Sequence, residues 1–268
     1  MARNKNLTSL ISQTRRMGHH NGKEALAKAV MDSLPLSNTF PVKTFASICG
    51  QGYLRSQADL ITDGVMKRPS EPTTEQQLGT DTSVFFFLAP FSYPNTQCGI
   101  LFKKELQKAY KSKSNASPFD SGGLINHFKL PIGIAPKDFL NRHLLPVPGH
   151  EELLETSLVY LFKDPKDYIF GEDPLHSGPV TLTGGDRRRW THEVRIASPI
   201  PVYEPTGIEA VFLMKDRLTD PEIENFLTYC KTHGILRIRF DAPFDQAFDT
   251  MKKLCISYIE DKIGALVP

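Results

Sequence analysis

Hydrophobic and polar residues follow two rhythms along this chain. A period of two runs through Glu193-Val194-Arg195-Ile196 and again through 235–240, where Ile, Arg and Phe alternate. That alternation predicts strands with one buried face. Val84-Phe85-Phe86-Phe87-Leu88 is instead a continuous apolar run and predicts a strand buried on both faces. Further strands are expected over 40–45, 99–102 and 208–214. Helical spacing is clear over 23–34, where Leu26, Ala29, Val30 and Leu34 share a face, Asn21 can cap and Pro35 stops the run. Asp220-Pro221-Glu222 and Gly234 bracket another helix, at 220–232. Helices are also expected over 103–111, 136–145, 150–161 and 245–263, with a short helical turn at 46–50.

Residues 63–82 are rich in Pro, Thr, Glu and Gln without an apolar period, which predicts a long loop or a lid. Residues 163–183 are loop-rich. Strands crowd into 40–102 and 193–240, with helices between and after them. The order predicts an α+β fold of split, mostly antiparallel sheets with flanking helices. Residues 1–35 read as an N-terminal basic and helical arm, of which 1–18 (Arg3, Lys5, Arg15, Arg16) is mobile or weakly helical, and 36–268 as a single domain.

Composition narrows the function classes. The 268 residues suffice for a large core, and 40% apolar with 23% charged residues is the balance of a soluble globular protein. A net charge of +2 gives no global attraction to nucleic acid, so any basic surface is local. Cys49, Cys98, Cys230 and Cys255 are far apart and form no C-x-x-C, which predicts reduced thiols in a cytoplasmic protein. There is no leading apolar segment and no apolar run of membrane length, so no membrane partner is expected. His19-His20 has no third ligand nearby, and no carboxylates are spaced for paired metals, so no metal is expected.

Candidate chemistry concentrates in Gly184-Gly185-Asp186-Arg187-Arg188-Arg189-Trp190-Thr191-His192-Glu193. Turn residues lead into a strand that opens on a carboxylate. Glu193 either stabilises a cation in a site or pairs with Arg195 or Arg237 across a sheet. Arg187, Arg188 and Arg189 either hold phosphates, with Trp190 stacking on a base, or form a solvated turn with Trp190 in the core. His192 neighbours Glu193 and therefore points to the other sheet face. The loop Ser117-Pro118-Phe119-Asp120-Ser121-Gly122-Gly123-Leu124 is a turn with a capping Asp120, or a phosphate or ribose cradle.

Several segments in order carry a family resemblance. They are Val42-Lys43-Thr44, Gly52-Tyr53-Leu54-Arg55-Ser56, the aromatic run ending at Pro90, Gly99-Ile100-Leu101-Phe102, and His192-Glu193-Val194-Arg195-Ile196 followed by Pro199-Ile200-Pro201. Together, over about 40–215, they resemble the ADP-ribosyltransferase fold, and most of all the bacterial nucleic-acid-modifying toxins of toxin–antitoxin modules. The resemblance implies an NAD-dependent ADP-ribosyltransferase, a toxin or defence effector, with NAD as substrate in a cleft between two sheets and no metal. It implies Glu193 as the catalytic carboxylate and Thr44, Phe45, Phe86, Phe91 and Tyr93 as NAD contacts. Arg187, Arg188, Arg189 and Trp190 would meet a nucleic-acid acceptor, and an antitoxin protein would be a partner. Thr191 stands where arginine-modifying relatives carry Glu or Gln, which speaks against an arginine acceptor. An NAD glycohydrolase and a non-enzymatic nucleic-acid-binding module are the alternatives.

Overall fold

The computed structural model describes residues 5–110, 113–180, 182–184, 186–204, 207–215 and 220–267. Arg3, Lys111 and Gly185 of the sequence expectations lie outside them. In chain order the elements are α1 (Lys5–Met17), α2 (Glu24–Ser33), β1 (Leu36–Phe40), α3 (Val42–Gln51), β2 (Tyr53–Leu54), α4 (Gln57–Thr62), α5 (Thr74–Leu78), β3 (Ser83–Leu88), β4 (Cys98–Phe102) and α6 (Glu105–Ala109). There follow β5 (Ser114–Ser117), α7 (Gly123–Asn126), α8 (Pro136–His143), α9 (Val147–Tyr160) and α10 (Asp167–Phe170). The last are β6 (Glu193–Ala197), β7 (Ile200–Pro201), β8 (Ile208–Met214), α11 (Pro221–Thr232), β9 (Leu236–Phe240) and α12 (Ala247–Leu266).

The fold is α+β and mostly antiparallel. One seven-stranded sheet has the order β5-β6-β3-β1-β4-β8-β9, and β2 pairs with β7 in a separate ribbon. All neighbours in the large sheet are antiparallel except β8 and β9, which the α11 crossover joins in parallel. Asp220 caps α11 by accepting from the Glu222 N–H, and Gly234 beyond its end takes φ +67°, as the bracket of Asp-Pro-Glu and Gly predicted. No described helix is long and apolar enough to cross a membrane.

Three local expectations are corrected. The segment 40–45 is not a strand: β1 ends at Phe40, and Val42 opens a helix that runs between Pro41 and the left-handed Gly52. Phe45, Ile48 and Cys49 are buried at helical spacing, and that period outweighs the β propensity of Val42 and Thr44. The segment 63–82 is not all loop, because Thr73 and Gln76 form a capping box that starts α5. The N-terminal segment does not stay a loose arm: Leu7, Leu10 and Ile11 on α1 are buried in an apolar cluster with Phe119, Phe139 and Leu153.

The core tolerates little change where the sheet meets the Phe91 ring. A Cβ on Gly99 would lie 2.5 Å from Phe91 Cζ, and Phe91 in turn packs edge-on to Phe212 with centroids 5.1 Å apart. Gly99→Ala is expected to cost about 1–3 kcal/mol through overpacking, read as a lowered urea midpoint at unchanged slope. An unshifted midpoint would show that the ring yields freely.

The opposite rim of the sheet carries a buried polar pair. His192 Nδ1 lies 2.7 Å from His150 Nε2 on α9, and both rings are fully inside. Burial holds His150 down to about 3, and burial and His150 lower His192 well below the ordinary value of 6.5. The folded state therefore keeps both neutral, while the unfolded chain takes up protons below pH 6.5. Their contribution is intact above 6.5 and is lost as pH falls toward 3. Denaturant midpoints should already fall between pH 6.5 and 5, before most carboxylates titrate. Constancy over that window would contradict the assignment.

Candidate active site

Glu193 is the first residue of β6, between Phe87 on β3 and Ser117 on β5. Its carboxyl is fully buried. The turn after β5 folds back over it, so that Ser121 donates to it twice: the hydroxyl to Oε1 at 2.7 Å and the N–H to Oε2 at 3.2 Å. Arg195, two residues on and on the same sheet face, places Nε 3.6 Å from Oε1. The pairing with Arg195 that the sequence allowed is thus present as a close charge contact. Arg237 stands on β9 at the far edge of the sheet and takes no part. His192 points to the other face, toward α9, as its neighbour position required.

A second buried carboxyl, Asp120, belongs to the same turn. It accepts from the Gly122 N–H at 2.8 Å and lies 3.2 Å from Arg188 Nη1. The Asp120 N–H donates to the Arg188 carbonyl at 3.0 Å, which fastens the turn to the arginine segment. Burial pushes Glu193 up to about 8, with the Asp120 charge adding to it and Arg195 opposing. Burial raises Asp120 too, against the pull of Arg188. Burial lowers Arg195, whose Nε and Nη2 have no hydrogen-bond partner among the described residues. Two acids and one arginine inside the protein form a strongly perturbed group of the kind found where charge develops in a reaction.

Glu193 is reached through a narrow space lined by Thr74, Glu75, Leu78, Thr80, Phe85, Tyr93, Ser121 and Gly122. Glu75, Phe85 and Tyr93 also line a much larger cleft of about 820 Å³. One wall of that cleft is β1 and β3, with Asn38, Thr39 and Phe85; the other is α3 and β2, with Lys43, Thr44, Ser47 and Tyr53. Arg55, Val65, Met66 and Lys67 complete it. The size falls in the range of ligand clefts; Lys43 and Lys67 supply positive charge along it, while Arg55 is paired with Asp63.

The candidate NAD contacts divide. Thr44 and Tyr93 line the cleft, although Thr44 does so from a helix and not from a strand. Phe45 and Phe86 do not: both are fully buried, packed edge-on to Phe226 and Phe102 respectively. Phe91 is also buried and belongs to a different cavity, behind Tyr93. Of the aromatic run, Phe85 alone is half-buried and faces the cleft. Asn38 and Thr39 escaped sequence reading, and Lys43 and Ser121 entered it only as members of larger segments. Ser121 had a signal in the Asp-Ser-Gly-Gly turn, whereas Asn38 and Thr39 had none until β1 was placed.

The arginines divide as well. Arg187–Trp190 form a 3₁₀ turn, capped by the Asp186 carboxylate accepting from the Arg188 N–H. Arg188 is committed to Asp186 at 2.6 Å and to Asp120. Arg189 donates to the Gly184 carbonyl at 2.6 Å and lies 3.7 Å from Asp173, over the Trp190 ring. Trp190 is half-buried. Arg187 remains exposed, on the rim of the cavity behind Tyr93.

Of segment 63–82, Val65, Met66, Lys67 and Glu75 line the cleft, with Val65 and Met66 exposed, at 54% and 41%. Limited proteolysis is expected to cut within 63–72 first, and more slowly when NAD is present. Cutting indifferent to NAD would contradict a covering role.

No family model matches the chain, and no curated protein matches it. Among solved structures it is similar to Thermus sp. 2.9 DarT in complex with NAD+, at 11% identity and a TM-score of 0.44, covering 78% of this chain and 96% of that one. The same protein in complex with ADP-ribosylated ssDNA gives 11% identity and a TM-score of 0.40, covering 79% and 95%. Likeness of that size leaves the chemistry to be argued from the residues of this chain. Among the described residues no group of three or more His, Cys, Asp or Glu could hold a metal. Burial pushes all four thiols up, which leaves them poor nucleophiles.

Proposed function

We propose that this chain is an NAD-dependent ADP-ribosyltransferase acting on nucleic acid, with Glu193 as its catalytic carboxylate. The observation that carries the reading is the placement of Glu193: a fully buried acid, fixed by Ser121, at the inner end of a passage from an 820 Å³ cleft. Cleaving the bond between nicotinamide and ribose sends the bonding pair to the ring nitrogen and leaves an oxocarbenium-like sugar. A rigid carboxylate beside the ribose hydroxyls stabilises that cation. The acceptor then attacks the sugar carbon and gives up its proton.

The cleft suits the rest of NAD. Lys43 and Lys67 can meet the diphosphate, Asn38, Thr39 and Ser47 offer polar contacts, and Phe85 and Tyr93 flank the passage as surfaces for the nicotinamide. The sequence resemblance to nucleic-acid-modifying toxins supports the acceptor class, and makes a neutralising antitoxin the expected partner. The decisive experiment incubates the protein with labelled NAD and separate pools of DNA, RNA and protein. Label is expected on nucleic acid. Free ADP-ribose with no labelled macromolecule would make the chain a glycohydrolase, and failure to bind NAD in a calorimeter would remove the enzymatic reading.

A further inference from the structure

A second cavity, of about 580 Å³, lies behind Tyr93, and Tyr93 alone among the described residues lines both it and the cleft. Its walls bring together two segments far apart in sequence: the Arg187–Trp190 turn, and α12 through Phe248 and Lys252. A methyl group placed on Gly171 would lie 3.8 Å from Lys252 Nζ and 3.9 Å from Arg187 Nη1, so the two cations converge on one spot at the wall. Neither forms an ion pair with a carboxylate among the described residues, whereas the neighbouring Arg188 and Asp186 neutralise each other. Glu172 also borders the cavity. Lys252 is half-buried; burial and the Arg187 charge lower it, and Asp249 acts the other way. Two like charges held together at a half-enclosed wall repel, and an anion between them relieves the repulsion.

We propose that Arg187 and Lys252 hold one backbone phosphate of a single-stranded nucleic-acid acceptor in this cavity, with the flanking bases against Trp190 and Phe248. The assignment rests on the transferase reading and gives its acceptor a place. A phosphate beside aromatic rings is the recurring chemistry of single-strand binding, since every base has a face to stack. A recess of this kind admits a splayed base but not a duplex. The diphosphate of NAD has its own cations in the cleft, and Tyr93 stands between the two sites, where an acceptor base could approach the sugar.

The test uses the full chain carrying Glu193→Gln to prevent turnover. Fluorescence anisotropy reads its binding to labelled mixed-sequence DNA and RNA single strands, and calorimetry reads NAD. Lys252→Met with Arg187→Gln is expected to weaken strand binding tenfold or more and to lower the salt slope of log affinity by about 0.7, the share of one single-strand phosphate. NAD affinity should not change. Phe248→Ala should weaken strand binding without changing the slope, and Lys252→Arg should restore most of it. Equal thermal stability of the variants excludes misfolding. Unchanged strand affinity and slope in the double variant would overturn the site, and so would a loss of NAD affinity that matches the loss of strand affinity. If the parent chain binds NAD but neither strand, the acceptor site falls while the NAD site stands. If strand binding responds as expected but NAD does not bind, the phosphate site stands and the transferase reading falls.

Discussion

Glu193→Gln should reduce ADP-ribose transfer by about 10²–10³ while leaving the fold intact. Gln keeps the shape of the side chain and can still meet Ser121, whose hydroxyl lies 2.7 Å from the acid. What it removes is the negative charge opposite the sugar cation. The variant should not be less stable, because the acid is costly where it stands: burial and Asp120 both disfavour its ionised form. A structural salt-bridge role predicts the reverse pattern. There, Gln would leave buried Arg195 without its nearest carboxylate and lower stability, with activity following only in proportion. Turnover and melting temperature measured on the same preparation separate the two. Retention of more than about a tenth of the turnover would sink the catalytic role.

The strand that opens on Glu193 was legible in the sequence, from a turn followed by strand alternation, while a catalytic role for the acid was implied only by the family resemblance. Its surroundings were not legible, because they come from strand pairing. Ser117 and Phe87 meet Glu193 only through the register of β5 and β3. The turn bearing Asp120 and Ser121 reaches it from 72 residues away in sequence. The same limit explains the misplaced aromatic contacts. A run of Phe residues predicts burial, but which ring faces a cleft is decided by pleat and by the neighbouring strand, and here it is Phe85 and not Phe86. The triple arginine shows how a charge run divides in a fold. Asp120, Asp186 and Asp173 take up two of the three, and the cation that joins the remaining one comes from α12.

The second large effect is on pH. With Glu193 pushed up to about 8, the ionised form is the minor one at neutral pH. Transfer should therefore rise about tenfold per pH unit below 8 and level off above it, a span on the order of 10² between pH 6 and 8. Burial is the largest cause of the shift and the Asp120 charge the next. Asp120→Asn should accordingly move the midpoint of the profile to lower pH, and not merely scale the rate. Stability must move the opposite way to rate. Glu193 has its folded value raised above the ordinary 4.5, so its contribution is fully present below 4.5 and is lost as pH rises toward 8. The protein becomes less stable over the same range in which it becomes more active, and Glu193→Gln should flatten that decline. NAD binding should lower the midpoint of the rate profile further, since a positively charged nicotinamide ring favours the ionised acid. A rate that is flat from pH 6 to 9 in both the parent and Asp120→Asn would mean that the acid is already ionised in the working enzyme. The coupling to Asp120 would then play no part in catalysis.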